Sequence, residues 1–158
     1  MRVQLALNVD DLEKAIEFYS KMFAAPVHKR KPGYANFAID NPPLKLVLFE
    51  RPGAPERINH LGVEVFDEED VAAATKRLET AGIDHLIESE TRCCHATQNK
   101  VWATEPEGLR WEWYRITDDT DALFPAPAPS SVGAGAGRTH ERNDAECCPG
   151  VGPASTPD

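Results

Sequence analysis

One stretch of this 158-residue chain occurs twice in the same register. Val3, Leu5, Leu7 and Val9 alternate with Gln4, Ala6 and Asn8, and Leu61, Val63 and Val65 alternate in the same phase with His60, Gly62 and Glu64. That period of two is the pattern of a half-buried strand. Placing Gln4 over His60 also places Asp11 over Asp67, so the repeat runs past the strand and marks a duplicated unit.

Each copy continues into a helix. Leu12, Ala15, Ile16, Tyr19, Met22 and Phe23 recur at helical spacing up to about 24–26, and Asp10 with Glu13 resembles a capping box. In the second copy Asp67 is the expected cap, Val71, Ala74, Leu78 and Ala81 form the apolar stripe, and Gly82 suits a left-handed C-terminal residue. Strands follow at 27–31, 34–39 and 44–49, with a turn over 40–43. The second copy offers 85–89, 93–98, 101–104 and 109–116, with a Glu105-Pro106-Glu107-Gly108 turn before the last. The expected class is α+β: two tandem βαβββ modules, about 1–52 and 57–117, in one domain over 1–117. From 118 to 158 the chain turns to Pro, Ala, Gly and Ser, as in Ala126-Pro127-Ala128-Pro129. A segment of that composition buries too little apolar area to offset its ordering entropy, so a disordered tail is expected.

The net charge is -9, and Lys and Arg are dispersed, which argues against nucleic acid as a partner. No apolar run approaches the roughly 20 residues that span a bilayer, and a cytoplasmic protein, monomer or homodimer, is expected. The cysteines fall as two adjacent pairs, Cys93-Cys94 and Cys147-Cys148. Neighbours bridge only through a strained ring, so free thiols in a reducing compartment are expected.

Gln4 and His60 hold the same place on the first strand of each module and should converge about a pseudo-twofold axis. In the last strand Arg110, Glu112 and Tyr114 share a face, where the first module has Lys45, Val47 and Phe49. Only the second module offers a carboxylate there, so one seat is expected, built from Gln4, His60 and Glu112. An imidazole and carboxylate set with open positions suits non-haem Fe(II). Taken singly, a strand histidine is ordinarily structural and Glu112 between two tryptophans reads as a surface charge; their matching places in a repeat favour the metal. His28, His85 and His140 show no ligand spacing, and Lys45 and Arg110 read as solvated charges on the strand face, or as partners for a substrate oxyanion.

The segment Gln4 to Glu13 running into Phe18-Tyr19, His60-Leu61-Gly62-Val63-Glu64-Val65, and Glu105 to Gly108 leading to Trp111-Glu112 resemble the vicinal oxygen chelate superfamily of glyoxalases, bleomycin-resistance proteins and extradiol dioxygenases. In that superfamily the first ligand is commonly His, so Gln4 is a departure. Thr91-Arg92-Cys93-Cys94-His95-Ala96-Thr97-Gln98-Asn99-Lys100-Val101-Trp102, with Pro32 to Phe37 and Pro42 to Leu46, is similar to the organoarsenical carbon–arsenic lyases and related cadmium-induced proteins. The resemblance implies Fe(II)- and O2-dependent cleavage of trivalent methyl- or aryl-arsenicals with release of arsenite. His60 and Glu112 would serve at the metal, and Cys93 and Cys94 would bind arsenic. His95 stands where most relatives carry Tyr.

The chemistry is coherent on its own terms. Trivalent arsenic with one organic group has two exchangeable positions, which two adjacent thiolates fill, while harder donors hold iron. Arg92, Lys100 and His95 are candidates to lower the thiol pKa values; the alternative is a pair of small buried hydrophobes. Cys147 and Cys148 repeat the dithiol in the tail, as an auxiliary arsenical site or an incidental one. Two other readings stand beside the lyase: a protein that sequesters cadmium or arsenite, and an extradiol dioxygenase or glyoxalase-like enzyme on an organic substrate.

Overall fold

A computed structural model describes residues 1–93 and 95–119. Cys94, the tail and its Cys147 and Cys148 lie outside the described residues. The elements run β1 (Arg2–Val9), α1 (Leu12–Phe23), β2 (Lys29–Lys31), β3 (Tyr34–Ile39), β4 (Leu44–Glu50), β5 (Ile58–Glu64), α2 (Glu68–Ala81), β6 (His85–Cys93), β7 (Ala96–Thr104) and β8 (Arg110–Asp118). This is the α+β class expected, with the order βαβββ traversed twice. No described helix is long and apolar enough to cross a membrane.

The eight strands form one sheet in the order β2-β3-β4-β1-β5-β8-β7-β6. β1 runs parallel to β4 and β5 parallel to β8, while β1 and β5 meet antiparallel at the centre. There Leu5 pairs with Leu61, Gln4 with Gly62 and Ala6 with His60. Repeat-equivalent leucines facing each other put the pseudo-twofold axis between them, which is what brings Gln4 and His60 to one place.

Three local readings change. Asp11, not Asp10, caps α1 by accepting from the Lys14 backbone N–H at 3.0 Å, and Asp10 instead accepts from the Gly53 N–H. Asp67 sits at the N-cap of α2 without a side-chain hydrogen bond, while Gly82 closes that helix with φ +66° as expected. The stretch 93–98 is not one strand. β6 continues through an irregularity between Glu88 and Thr91, where Glu90 has φ +50°, and the chain reverses around His95 at φ +66° to enter β7. Neither residue is a glycine, so composition gave no cue to either left-handed position.

The alternation in β1 and β5 also sorts differently from a half-buried strand. Val3 is half exposed, whereas Gln4, Ala6, Asn8, His60, Gly62 and Glu64 are buried. The sheet curls. Lys29, on the edge strand β2, donates to the His95 carbonyl at 3.0 Å and pairs with Asp119 just past β8, so the far ends of the sheet meet. The helices cover the outer face: Leu12 of α1 joins Val9, Phe37, Leu46 and Leu48, with Leu5, Leu7, Ile16 and Tyr19 packed against them. Ala74 and Leu78 of α2 pack on Val101 and Trp113. The central strands β3, β4, β1 and β5 are thus largely withdrawn from water, and the polar face encloses the site.

Candidate metal centre

On the enclosed face Gln4, His60 and Glu112 come together, each 3 to 4 % exposed. The Gln4 amide nitrogen donates to Glu112 Oε1 at 2.7 Å and lies 3.0 Å from His60 Nε2, and His60 Nε2 is 3.3 Å from Glu112 Oε1. Three strands deliver them: β1, its repeat partner β5, and β8 beside β5. Gly62 makes the room. A Cβ built there would lie 3.0 Å from Glu112 Cγ, 3.3 Å from the Glu112 carbonyl oxygen and 3.4 Å from Gln4 Cβ. The glutamate therefore folds over a position that carries no side chain.

Each donor is oriented by a second residue. His60 Nδ1 lies 2.7 Å from Asn59 Oδ1, and an N–H directed there leaves the Nε2 lone pair facing Gln4 and Glu112. The Tyr114 hydroxyl donates to Gln4 Oε1 at 2.5 Å. Burial, with Glu64 and Glu112 nearby, pushes the Tyr114 phenol well above its ordinary range, so it stays protonated. Lys100 Nζ donates to Glu112 Oε2 at 3.3 Å. Burial works to raise the Glu112 carboxyl, but the Lys100 charge, the adjacent His60 ring and the hydrogen bond from Gln4 outweigh it and hold it down at about 2. Glu112 is an anion.

This donor set fits a divalent metal. Donors about 2.1 Å from a metal and at right angles to one another are about 3.0 Å apart, and the three edges here are 2.7, 3.0 and 3.3 Å. The Gln4 NH2 now fills the two lone pairs that a metal would take. Half a turn of the amide exchanges it for the oxygen, and Tyr114, whose hydroxyl accepts as well as donates, still has a partner. Among the described residues no three His, Cys, Asp or Glu side chains come together, so a three-donor seat here has to include the Gln4 amide.

Around the seat the two modules contribute different walls. His60 packs edge-on against Trp102 with ring centroids 5.3 Å apart, and Phe49 approaches it from the other side at 6.3 Å. A cavity is lined by Gln4, His60 and Glu112 together with Lys29, Tyr34, Asn36 and Lys45. Lys45 is not a solvated charge: it is buried, pairs with Glu64 at 3.1 Å, and lies over the Tyr114 ring. Glu64 also pairs with Arg2. Burial would raise its carboxyl, yet Lys45 and Arg2 together lower it. Arg110 stacks over Trp102 at 4.0 Å.

Of the sequence-derived site, Gln4, His60 and Glu112 are assembled here. The backbone of Cys93 ends β6 opposite Ala96. Lys100 turns inward to Glu112. Sequence reasoning missed Lys29, Asn36 and Asn59, none of which carries a periodic signal: the curl of the sheet gives Lys29 its partners, while Asn36 bonds Tyr34 two residues away and Asn59 its neighbour His60.

Comparison with known proteins shows the family. Residues 2–113 match the glyoxalase/bleomycin resistance protein/dioxygenase superfamily model. The chain is 51% identical over 152 residues to the cadmium-induced protein CadI of Mycobacterium tuberculosis, covering 94% of this chain and 93% of that one. It is 48% identical over 156 residues to a trivalent organoarsenical cleaving enzyme of Thermomonospora curvata, covering 93% and 99%. In fold it resembles homoprotocatechuate 2,3-dioxygenase from Arthrobacter globiformis, with TM-score 0.54 and 21% identity over 76% of this chain and 37% of that one. The chain belongs to the glyoxalase/bleomycin resistance protein/dioxygenase superfamily.

Proposed function

We propose that this member of the superfamily cleaves the carbon–arsenic bond of trivalent organoarsenicals and releases arsenite, using Fe(II) and O2. The observation that carries the reading is the convergence of an imidazole, a carboxylate and an amide at mutual distances near 3 Å in a buried cavity, in a chain 48% identical to a protein named for this cleavage. Gln4, His60 and Glu112 would hold the metal, leaving further positions open. When bound, Fe(II) supplies a redox-active centre able to engage O2.

The protein's own contribution is binding and placement. Each thiol of Cys93 and Cys94 displaces one hydroxyl of an R–As(OH)2 substrate, forming two As–S bonds and two waters, and the carbon–arsenic bond is the one left over. Soft sulfur selects arsenic, whereas the harder nitrogen and oxygen donors select iron, so the two sites do not compete. The turn after β6 is tied through the His95 carbonyl to Lys29 beside the cavity; this supports a substrate held by that turn near the seat, with a gain in rate from proximity. Phe49, Trp102 and Val47 line or approach the seat and limit water around the reacting carbon. Cys147 and Cys148 are proposed as an auxiliary arsenical site. Deleting the chain after Asp119 tests that role and should leave turnover within about twofold if they are dispensable.

The assay is anaerobic loading of the full chain with Fe(II), then O2 and methylarsenite, with arsenite quantified. Release is expected to need iron, oxygen and both thiols. Cys93→Ser or Cys94→Ser should abolish it while leaving Fe(II) binding intact, and an active double variant would sink the proposal. A second reading, sequestration of thiophilic ions, is favoured by the relatives named for cadmium induction. It needs neither O2 nor Glu112, so equal protection of cells from methylarsenite by wild type and Glu112→Gln would decide for it.

A further inference from the structure

The lining of the cavity carries an acceptor to which no described residue donates. Asn36, 3 % exposed, lines the cavity from β3. Its amide nitrogen donates to the Tyr34 hydroxyl at 2.8 Å, while its Oδ1 has no hydrogen-bond partner among the described residues. A buried polar atom without a partner is costly, and in a native protein it calls for a cause. Here the atom belongs to a residue that borders the same cavity as Gln4, His60 and Glu112. We propose that Asn36 is a specificity-determining residue, its Oδ1 accepting a hydrogen bond from an O–H or N–H group carried on the organic substituent of the arsenical. The proposal rests on the arsenical reading above.

Three observations fix the chemistry of the missing donor. Arsenic held by two thiolates has given up both hydroxyls, so a donor can come only from the organic group. Asn36 pairs across to Val47, and β4 in turn lies beside β1, which carries Gln4. Two strand spacings, about 10 Å between backbones, separate Asn36 from the strand that carries Gln4, farther than a methyl group reaches and within the reach of a donor carried on an aryl ring. Lastly, the two lysines bordering the cavity are matched by carboxylates, Lys29 by Asp119 and Lys45 by Glu64. Among the described residues no unmatched lysine borders the cavity to draw an anionic substituent. A neutral donor such as a phenol or aniline is the group that fits. The same position in the second module is Trp102, which pairs with Glu112 as Asn36 pairs with Val47. One half of the cavity thus closes on the histidine and the other reads the substituent.

The test is binding to the full-length, Fe(II)-loaded protein without O2, followed by tryptophan fluorescence, so that affinity is read without turnover. The probes are 4-hydroxyphenylarsenite, 4-aminophenylarsenite and 4-methoxyphenylarsenite. The first two are expected to bind about tenfold more tightly than the methoxy compound, which matches them in reach but has no donor. Asn36→Leu should reduce that ratio to about one with unchanged Fe(II) affinity, and Asn36→Asp, which keeps an acceptor on the same stem, should restore it. Equal binding of the three by wild type, or a ratio that survives Asn36→Leu, means that Oδ1 holds only a buried water and overturns the assignment while leaving the arsenical reading standing. Failure of every probe to bind overturns both.

Discussion

The packing under α1 and the packing under α2 are unequal. Val9, Leu12, Ala35, Phe37, Ile39, Leu46 and Leu48 form one buried cluster beneath the first helix, whereas beneath the second the buried cluster is Ala74, Leu78 and Val101. On the enclosed face the inequality reverses. Where β1 and β4 bring Ala6 against Val47, β5 and β8 bring Gly62 against Glu112, and Phe49 and Asn8 give way to Tyr114 and Glu64. The first half holds the fold together with apolar area, which is the larger stabilising term. The second half carries buried charge, tolerable only because each ion is matched: Glu112 by Lys100, and Glu64 by Lys45 and Arg2. Duplication supplied a symmetric frame, and the chemistry comes from where the copies diverge.

That comparison can be broken position by position, by giving the second half the first half's residue. Glu112→Val carries the largest effect: arsenite release from methylarsenite should fall to background while circular dichroism still reports a folded sheet. Next is Glu64→Asn, which leaves Lys45 and Arg2 facing each other without an anion and should cost about 3–5 kcal/mol in urea unfolding. The sign of its pH dependence is fixed. The folded Glu64 carboxyl is lowered from 4.5, so its contribution is present above that value and is lost as pH falls through the folded one. The variant should therefore show a shallower acid limb than wild type.

Tyr114→Phe removes the hydrogen bond that orients the Gln4 amide and is expected to weaken Fe(II) binding by about 10–100-fold, measured anaerobically, with little change in unfolding free energy. The smallest effect is Gly62→Ala. Its new Cβ would crowd Glu112 Cγ at 3.0 Å, displacing the carboxylate by a few tenths of an ångström, and Fe(II) affinity should fall severalfold. Ala6→Gly at the mirrored position should leave that affinity unchanged.

Much of this is legible in the amino-acid sequence. The register of Gln4 with His60, and the absence of a carboxylate opposite Glu112, follow from the repeat alone because a twofold relation between strands is a property of sequence order. The turn at His95 was not legible, since a left-handed residue other than glycine or asparagine leaves no mark in composition. Nor was the burial of Lys45 and Asn36: local alternation shows that a strand has two faces, but whether the polar one meets water depends on a sheet curling until Lys29 reaches the His95 carbonyl. Asn59 illustrates a third limit, because its only signal is adjacency to His60.

The central claim is that a duplicated frame holds one metal, through Gln4, His60 and Glu112. Anaerobic titration of the full chain with Fe(II) tests it most directly. The account predicts saturation at one equivalent per chain in wild type and no measurable site in Glu112→Val; two equivalents in wild type, or unchanged binding in the variant, would contradict it.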